Sequence, residues 1–65
     1  MTETLLRRAD VEQRTGFSRS TIYRLMSYGE FPRPLRIGRQ AVRWRASDID
    51  TWIASKPISD ISQIA

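Results

Sequence analysis

The chain has 65 residues, of which 11 are Lys or Arg and 7 are Asp or Glu, so its formal net charge at pH 7 is +4. It contains no Cys and no His, which excludes zinc fingers, disulfide scaffolds and catalysis by a thiol or an imidazole. A chain of this length forms one domain with a small core, and it has no apolar run long enough to span a bilayer. We therefore expect a basic binding protein that is neither an enzyme nor membrane-bound and needs no cofactor.

The positive charge is concentrated in the middle of the sequence. Residues 1–30 carry a net charge of +1, residues 31–46 carry +5 without a single acid, and residues 47–65 carry −2. Ten of the eleven basic residues are arginine, whose planar guanidinium group matches phosphate oxygens and the edge of guanine. A solvated, charged surface would also give such a run, but five arginines without an acid favour nucleic-acid binding.

The first half of the sequence predicts two short helices. An extended lead-in over 1–6 places Leu5 or Leu6 in the core, and a helix over 9–15 follows, with Val11 inward and Gly16 as its end. Ser18 is a suitable N-cap for a second helix that runs to about Tyr28.

The second predicted helix is amphipathic. At 100° per residue its apolar side chains form one stripe, and the opposite side is polar without a carboxylate. The stripe contains Ile22, Leu25 and Met26, and the polar side contains Ser20, Tyr23, Arg24 and Ser27.

The segment after this helix predicts a β-hairpin. Two prolines in residues 31–34 exclude regular helix, and residues 35–37 and 42–45 then alternate between apolar and basic side chains around a turn at 38–41. Arg39 and Gln40 lie at the tip of this turn. We expect one face to be buried (Leu35, Ile37, Val42 and Trp44) and the other to be basic (Arg36, Arg43 and Arg45).

A third helix is predicted to begin at Ser47, with Ser47 as N-cap and Asp50 in a short-armed capping box. Its inward side chains are Ile49, Trp52 and Ile53, and Pro57 limits its length. Both tryptophans of the chain lie in apolar registers, which favours core packing over base stacking.

Residues 1–56 are expected to form the domain, and 57–65 are a tail of uncertain structure. The row formed by Ile58, Ile61 and Ile64 allows the tail to fold back, to mediate self-association or to stay disordered.

Two short helices joined by a tight turn and followed by a basic hairpin and a third helix predict a mainly α fold with a small β-hairpin, a single winged helix-turn-helix domain. In this fold the second helix enters the major groove of duplex DNA, and the wing reaches the adjacent minor groove or backbone.

The residues also resemble a known family. The stretch R-T-G-F-S-R-S-T-I-Y-R-L-M (14–26) resembles the helix-turn-helix of AlpA-type phage regulators. The stretch F-P-R-P-L-R-I-G-R-Q-A-V-R-W-R-A-S-D-I-D-T-W-I (31–53) resembles the Pro-containing linker, wing and final helix of that family, which is related in fold to excisionases and to MerR-type DNA-binding domains. The resemblance implies a prophage or mobile-element protein that activates transcription, for instance of an integrase gene, or directs excision as a recombination directionality factor.

The candidate DNA-binding residues lie on the second helix and on the wing: Ser18, Arg19, Ser20, Thr21, Tyr23, Arg24, Ser27, Arg36, Arg39, Gln40, Arg43 and Arg45. Arg7 and Arg8 either contact phosphate or are solvated.

One domain covers a short site, so we expect specificity to need further copies on the DNA, an integrase or RNA polymerase. The expected location is the cytoplasm, at the nucleoid. The alternatives are a small basic RNA-binding protein and a protein-binding adaptor.

Overall fold

Six short elements make up residues 3–59, the part of the chain that the computed structural model describes. In chain order they are β1 (Leu5–Leu6), α1 (Arg8–Thr15), α2 (Arg19–Ser27), β2 (Leu35–Arg36), β3 (Val42–Arg45) and α3 (Ala46–Ala54). The strands form one antiparallel sheet in the order β1-β3-β2. Three helices with a small antiparallel sheet confirm the predicted fold class, a single winged helix-turn-helix domain.

Side chains from β1, β3, the three helices and the linker before β2 form one core. The buried apolar side chains are Leu6, Val11, Ile22, Phe31, Trp44 and Ile49. Phe17, Leu25, Met26 and Trp52 are partly buried and pack against them. The predicted inward positions of α1 and α2 are thereby confirmed, and both tryptophans are confirmed as packing residues. Trp44 has no exposed surface.

The turn between α1 and α2 is fixed at both ends. Gly16 ends α1 with φ = 75°, a left-handed conformation that glycine adopts at little cost, and its N–H donates to the carbonyl of Glu12. The Thr15 hydroxyl donates to the Val11 carbonyl at 2.8 Å and accepts from the N–H of Phe17 at 3.2 Å. The Phe17 ring then packs edge-on against Phe31 and Trp52. These contacts hold α2 in place against the rest of the domain.

The hairpin is present, but its predicted faces are wrong for β2. Arg36 lies opposite Val42, and the Ile37 N–H donates to the Ala41 carbonyl, so three residues form the loop instead of four. Directly opposed residues of an antiparallel pair share a face, and a shift of one residue exchanges the two faces. Arg36 therefore lies on the Trp44 side, whereas Ile37 lies on the other side and is half exposed.

A third strand, formed by the predicted extended lead-in, completes the sheet, although its pairing was not predicted. Leu6 of β1 lies opposite Trp44, so both buried side chains occupy the same face of β3. Two residues are too few to show an alternating pattern, and the pairing depends on a contact between distant parts of the chain.

The predicted cap of α3 is also wrong. The helix begins at Ala46, and Ser47 donates from its N–H and its hydroxyl to the carboxylate of Glu3 instead of accepting a cap bond itself. Asp50 is not in a capping box, since its carboxylate accepts from Arg14 at 3.2 Å. Ile53, predicted to point inward, is 41% exposed.

The helix ends before Pro57, as predicted, with Ser55 as its C-cap. Ile58 is fully exposed, and the other two isoleucines of the tail row, Ile61 and Ile64, lie outside the described residues. None of the helices within 3–59 is both long and apolar enough to cross a membrane.

Candidate nucleic-acid interface

The outer surface of α2 is the first part of the candidate interface. Ile22 fixes the rotation of the helix, because its side chain is completely buried. The residues on the opposite side are all exposed: Arg19, Ser20, Tyr23, Arg24 and Ser27. The guanidinium carbon of Arg19 lies 5.6 Å from the centre of the Tyr23 ring, a cation–π contact that orders both side chains. The surface thus presents hydrogen-bond donors and no carboxylate.

The first turn of α2 is held by its own hydroxyl groups. Ser18 caps the helix by accepting from the Thr21 N–H at 3.3 Å, and the two hydroxyl groups lie 3.2 Å apart. Ser18 is exposed and Thr21 is half buried. At the other end, the Ser27 hydroxyl donates to the Arg24 carbonyl at 2.6 Å. The helix is therefore ordered at both ends without using the side chain of Arg24.

The hairpin tip is the second part of the interface. Arg36 donates from Nε to the Gly38 carbonyl at 3.4 Å and from Nη2 to the Arg39 carbonyl at 3.1 Å. These bonds tie the loop to β2. The side chains of Arg39 and Gln40 are exposed at the tip, and neither makes a hydrogen bond or ion pair with any residue in 3–59.

The arginines of β3 are less free than those at the tip. Arg43 is half buried and donates from Nη1 to the Val42 carbonyl at 2.8 Å. Arg45 is exposed, and its positive charge adds to the hydrogen bonds from Ser47 that lower the pKa of Glu3. The candidate arginines of the hairpin thus divide into two bound to backbone, one beside an acid and one without a partner in the described chain.

One arginine of the basic segment was not among the sequence-based candidates. Arg33, between Pro32 and Pro34, is exposed and has no hydrogen-bond or ion-pair partner within residues 3–59. The signal for it in the sequence is its position between two prolines, which excludes helix and leaves the side chain on an extended segment. Arg7 and Arg8 differ as well, because Arg8 pairs with Glu12 at 2.9 Å and the Arg7 side chain pairs with no described residue.

Two acidic residues of the described chain have structural partners. Asp10 accepts from the backbone N–H of Arg7 at the start of α1, and Asp50 pairs with Arg14. Among the described residues no cluster of three or more His, Cys, Asp or Glu side chains could hold a metal ion.

A short, capped second helix with an exposed donor surface, followed by an arginine-rich wing, places the chain in the class of small winged helix-turn-helix proteins. Within that class, the family model for the prophage CP4-57 regulatory protein (AlpA) matches residues 4–57, and the chain belongs to this family. The chain is also 41% identical over 54 residues to the uncharacterized protein ORF88 of Enterobacteria phage P4. That match covers 83% of this chain and 61% of the phage protein. Family membership confirms the resemblance noted in the sequence.

Proposed function

We propose that this AlpA-family protein binds a specific sequence of duplex DNA and regulates a prophage or another mobile element in the cytoplasm, at the nucleoid. The observation that carries the proposal is the exposed surface of α2, which combines two arginines, a tyrosine and two serines without a carboxylate. Nine helical residues span about 14 Å, a length that fits the major groove.

The residues of α2 then have distinct roles. Arg24 lies near the centre of the surface, and its guanidinium group has no partner in the described chain, so it can donate twice to the edge of a guanine. Arg19, Ser20, Tyr23 and Ser27 surround it and contact neighbouring bases or phosphates. Ser18 and Thr21 order the first turn, whose free backbone N–H groups face a phosphate.

The wing acts beside the helix. Arg39 and Gln40 reach the adjacent minor groove or backbone, because a narrow minor groove attracts an unpaired arginine. Arg36, Arg43 and Arg45 place further positive charge near the DNA. Direct contacts from these three arginines stay a prediction, since the guanidinium groups of Arg36 and Arg43 also bind backbone carbonyls.

Regulation takes one of two forms. Binding near a promoter activates transcription, for instance of an integrase gene, through contact with RNA polymerase. Binding within an attachment site directs excision together with the integrase. Because one domain reads few base pairs, either role uses several copies of the chain on adjacent or inverted sites.

The test is selection of bound sequences from random duplexes, followed by titration of the selected duplex at several salt concentrations. We expect a consensus site and a slope of log K against log salt of about −4 to −6, as five to seven phosphate contacts require. Equal affinity for every duplex, or preference for structured RNA over DNA, would contradict the proposal. A reporter fused to the selected promoter and an excision assay then separate the two forms of regulation.

A further inference from the structure

The linker between α2 and β2 is anchored by both tryptophans of the chain. The indole N–H of Trp52 donates to the Glu30 carbonyl at 3.0 Å, and the indole N–H of Trp44 donates to the Pro32 carbonyl at 2.9 Å. Between these two bonds, Phe31 is buried, and its ring centre lies 4.8 Å from that of Trp52. The linker is therefore held from the core side at three successive residues.

The next residue points outward from this anchored segment. Arg33 is exposed, and both of its neighbours are prolines with a fixed φ. The residue before a proline is itself confined to extended conformations, so Pro34 restricts the backbone of Arg33 as well. Its guanidinium group thus projects from a backbone that has little freedom left to lose on binding.

The charge of Arg33 is also not neutralised locally. Residues 31–46 contain no acid, and the Arg33 side chain has no partner among residues 3–59. Within that segment Arg36 and Arg43 bind backbone carbonyls, and Arg45 lies beside Glu3. Arg33 and Arg39 are the two guanidinium groups of the basic segment that the described chain leaves without a partner.

We propose that Arg33 is a phosphate-binding residue of the protein–DNA interface, held ready by Trp44 and Trp52. The inference rests on the proposed function. It adds a third part to the interface, on the stretch of chain that connects α2 to the wing. A phosphate oxygen is the expected partner because half or more of protein–DNA hydrogen bonds go to the phosphate and sugar backbone, and the planar guanidinium group matches phosphate oxygens. Trp44 and Trp52 are positioning residues, since they bind the linker and not the DNA.

The first test compares Arg33→Ala, Arg33→Lys and the wild-type chain on the selected duplex and on an unrelated duplex. Arg33→Ala should raise Kd about tenfold on both, the effect of one lost charged hydrogen bond, and should make the salt slope less negative by about 0.9. Arg33→Lys should keep the slope, because the charge remains. Arg14→Gln removes one positive charge at the contact with Asp50 and should leave the slope unchanged.

The second test asks whether Trp52 acts through Arg33. Trp52→Phe keeps an aromatic ring against Phe31 but removes the N–H that binds the Glu30 carbonyl. It should weaken duplex binding about threefold in the wild-type background and have no further effect in the Arg33→Ala background. Far-UV circular dichroism at the binding temperature checks that every variant is folded.

The outcomes are separable from those of the proposed function. An unchanged Kd and salt slope for Arg33→Ala, while Arg24→Ala still loses discrimination between duplexes, would overturn this inference and leave DNA recognition by α2 intact. A loss confined to the selected duplex would assign Arg33 to base recognition and overturn the phosphate contact. Failure of the wild-type chain to bind any duplex would overturn both.

Discussion

Glu3 caps a helix that begins more than forty residues further along the chain. Its carboxylate accepts from the backbone N–H of Ser47 at 3.3 Å and from the hydroxyl of the same residue. The Thr4 carbonyl accepts from the Ala46 N–H at 2.8 Å, so the lead-in also pairs with the residue before Ser47. These bonds satisfy free N–H groups at the start of α3 and attach the N-terminal strand to the third helix.

Because of this cap, we expect the stability of the fold to depend on pH in the acidic range. The hydrogen bonds from Ser47 lower the pKa of Glu3 below its ordinary value of 4.5. A carboxylate whose pKa is lowered in the folded state stabilises the fold when the pH is above the ordinary pKa. That contribution is lost as the pH falls through the lowered pKa of the folded state. Glu3→Gln should therefore unfold at a lower temperature than the wild type at pH 7, and the difference should vanish under acidic conditions.

Thermal unfolding followed by circular dichroism across the acidic range measures this difference. Glu30→Gln is the matched control, because the Glu30 carboxylate makes no hydrogen bond or ion pair with residues 3–59. A Glu3→Gln deficit that stays constant from pH 7 to below pH 3 would show that the charge of Glu3 is not what stabilises α3.

The completely buried Trp44 should be the most sensitive position of the fold. Trp44→Ala removes the largest buried side chain and should cost about 3–5 kcal/mol, which equals the whole stability expected of a domain this small. We expect this variant to be unfolded at 25 °C. Trp44→Phe should fold with a loss of about 1–3 kcal/mol, since it leaves the Pro32 carbonyl without its donor.

Urea unfolding measures both losses. Tyr28→Phe, at a side chain that is 65% exposed, is the control and should change stability by less than about 0.5 kcal/mol. Native stability of Trp44→Ala would mean that the core does not depend on the side chain at its centre.

The helix and the wing should respond differently to loss of an arginine. Arg24→Ala should reduce discrimination between the selected site and its single-base variants by about 1–3 kcal/mol at one position, because it removes a base contact. Arg39→Ala should weaken binding to all duplexes by a similar factor and make the salt slope less negative by about 0.9. Fluorescence anisotropy titrations on a panel of duplexes distinguish the two patterns, and identical patterns for both variants would refute the assignment of roles.

Arg36 should act on DNA through the shape of the wing. Its two hydrogen bonds hold the Gly38 and Arg39 carbonyls, so Arg36→Ala should loosen the tip and raise Kd about threefold. The same change made in the Arg39→Ala background should then have little effect. If Arg36 instead contacts phosphate itself, the two losses will add, and the double variant will show the sum of both changes in salt slope.

A chain that ends at Lys56 should retain both its fold and its DNA affinity. The described core contains no residue beyond Trp52, and the ammonium group of Lys56 lies 4.5 Å from the centre of the Trp52 ring. The melting temperature and Kd of the shortened chain should match those of the full chain. A lower affinity at unchanged stability would assign residues 57–65 to assembly on the DNA.

The sequence predicts the local parts of this fold better than the distant pairings. The helices follow from the periodicity around Val11, Ile22 and Ile49 and from the glycines that end α1 and α2, which are all signals within a few residues. The register of the hairpin depends on whether three or four residues form the loop, and the composition of 38–41 allows both. The cap of α3 by Glu3 depends on the position of β1, which no local pattern indicates.

In the candidate site, too, features set by local sequence are predictable and features set by contacts in the folded chain are not. The exposed face of α2 is predictable because a single buried position, Ile22, fixes its rotation. Which arginines of the wing are free is not predictable from sequence, since Arg36 and Arg39 have the same chemistry and differ only in the carbonyls that surround them. The family resemblance identifies the wing as a whole, and the contacts in the structure then show which of its arginines are free.

The distribution of the core along the chain has a consequence for how the domain folds during synthesis. The buried side chains of the described residues extend from Leu6 to Ile49. β1 can pair only after β3 has been synthesised. A nascent chain that carries only α1 and α2 lacks the surfaces against which both helices pack, and isolated helices of this length are unstable in water. A translation product that stops after α2 therefore holds no ordered α2 and lacks the surface on which the proposed DNA contacts depend.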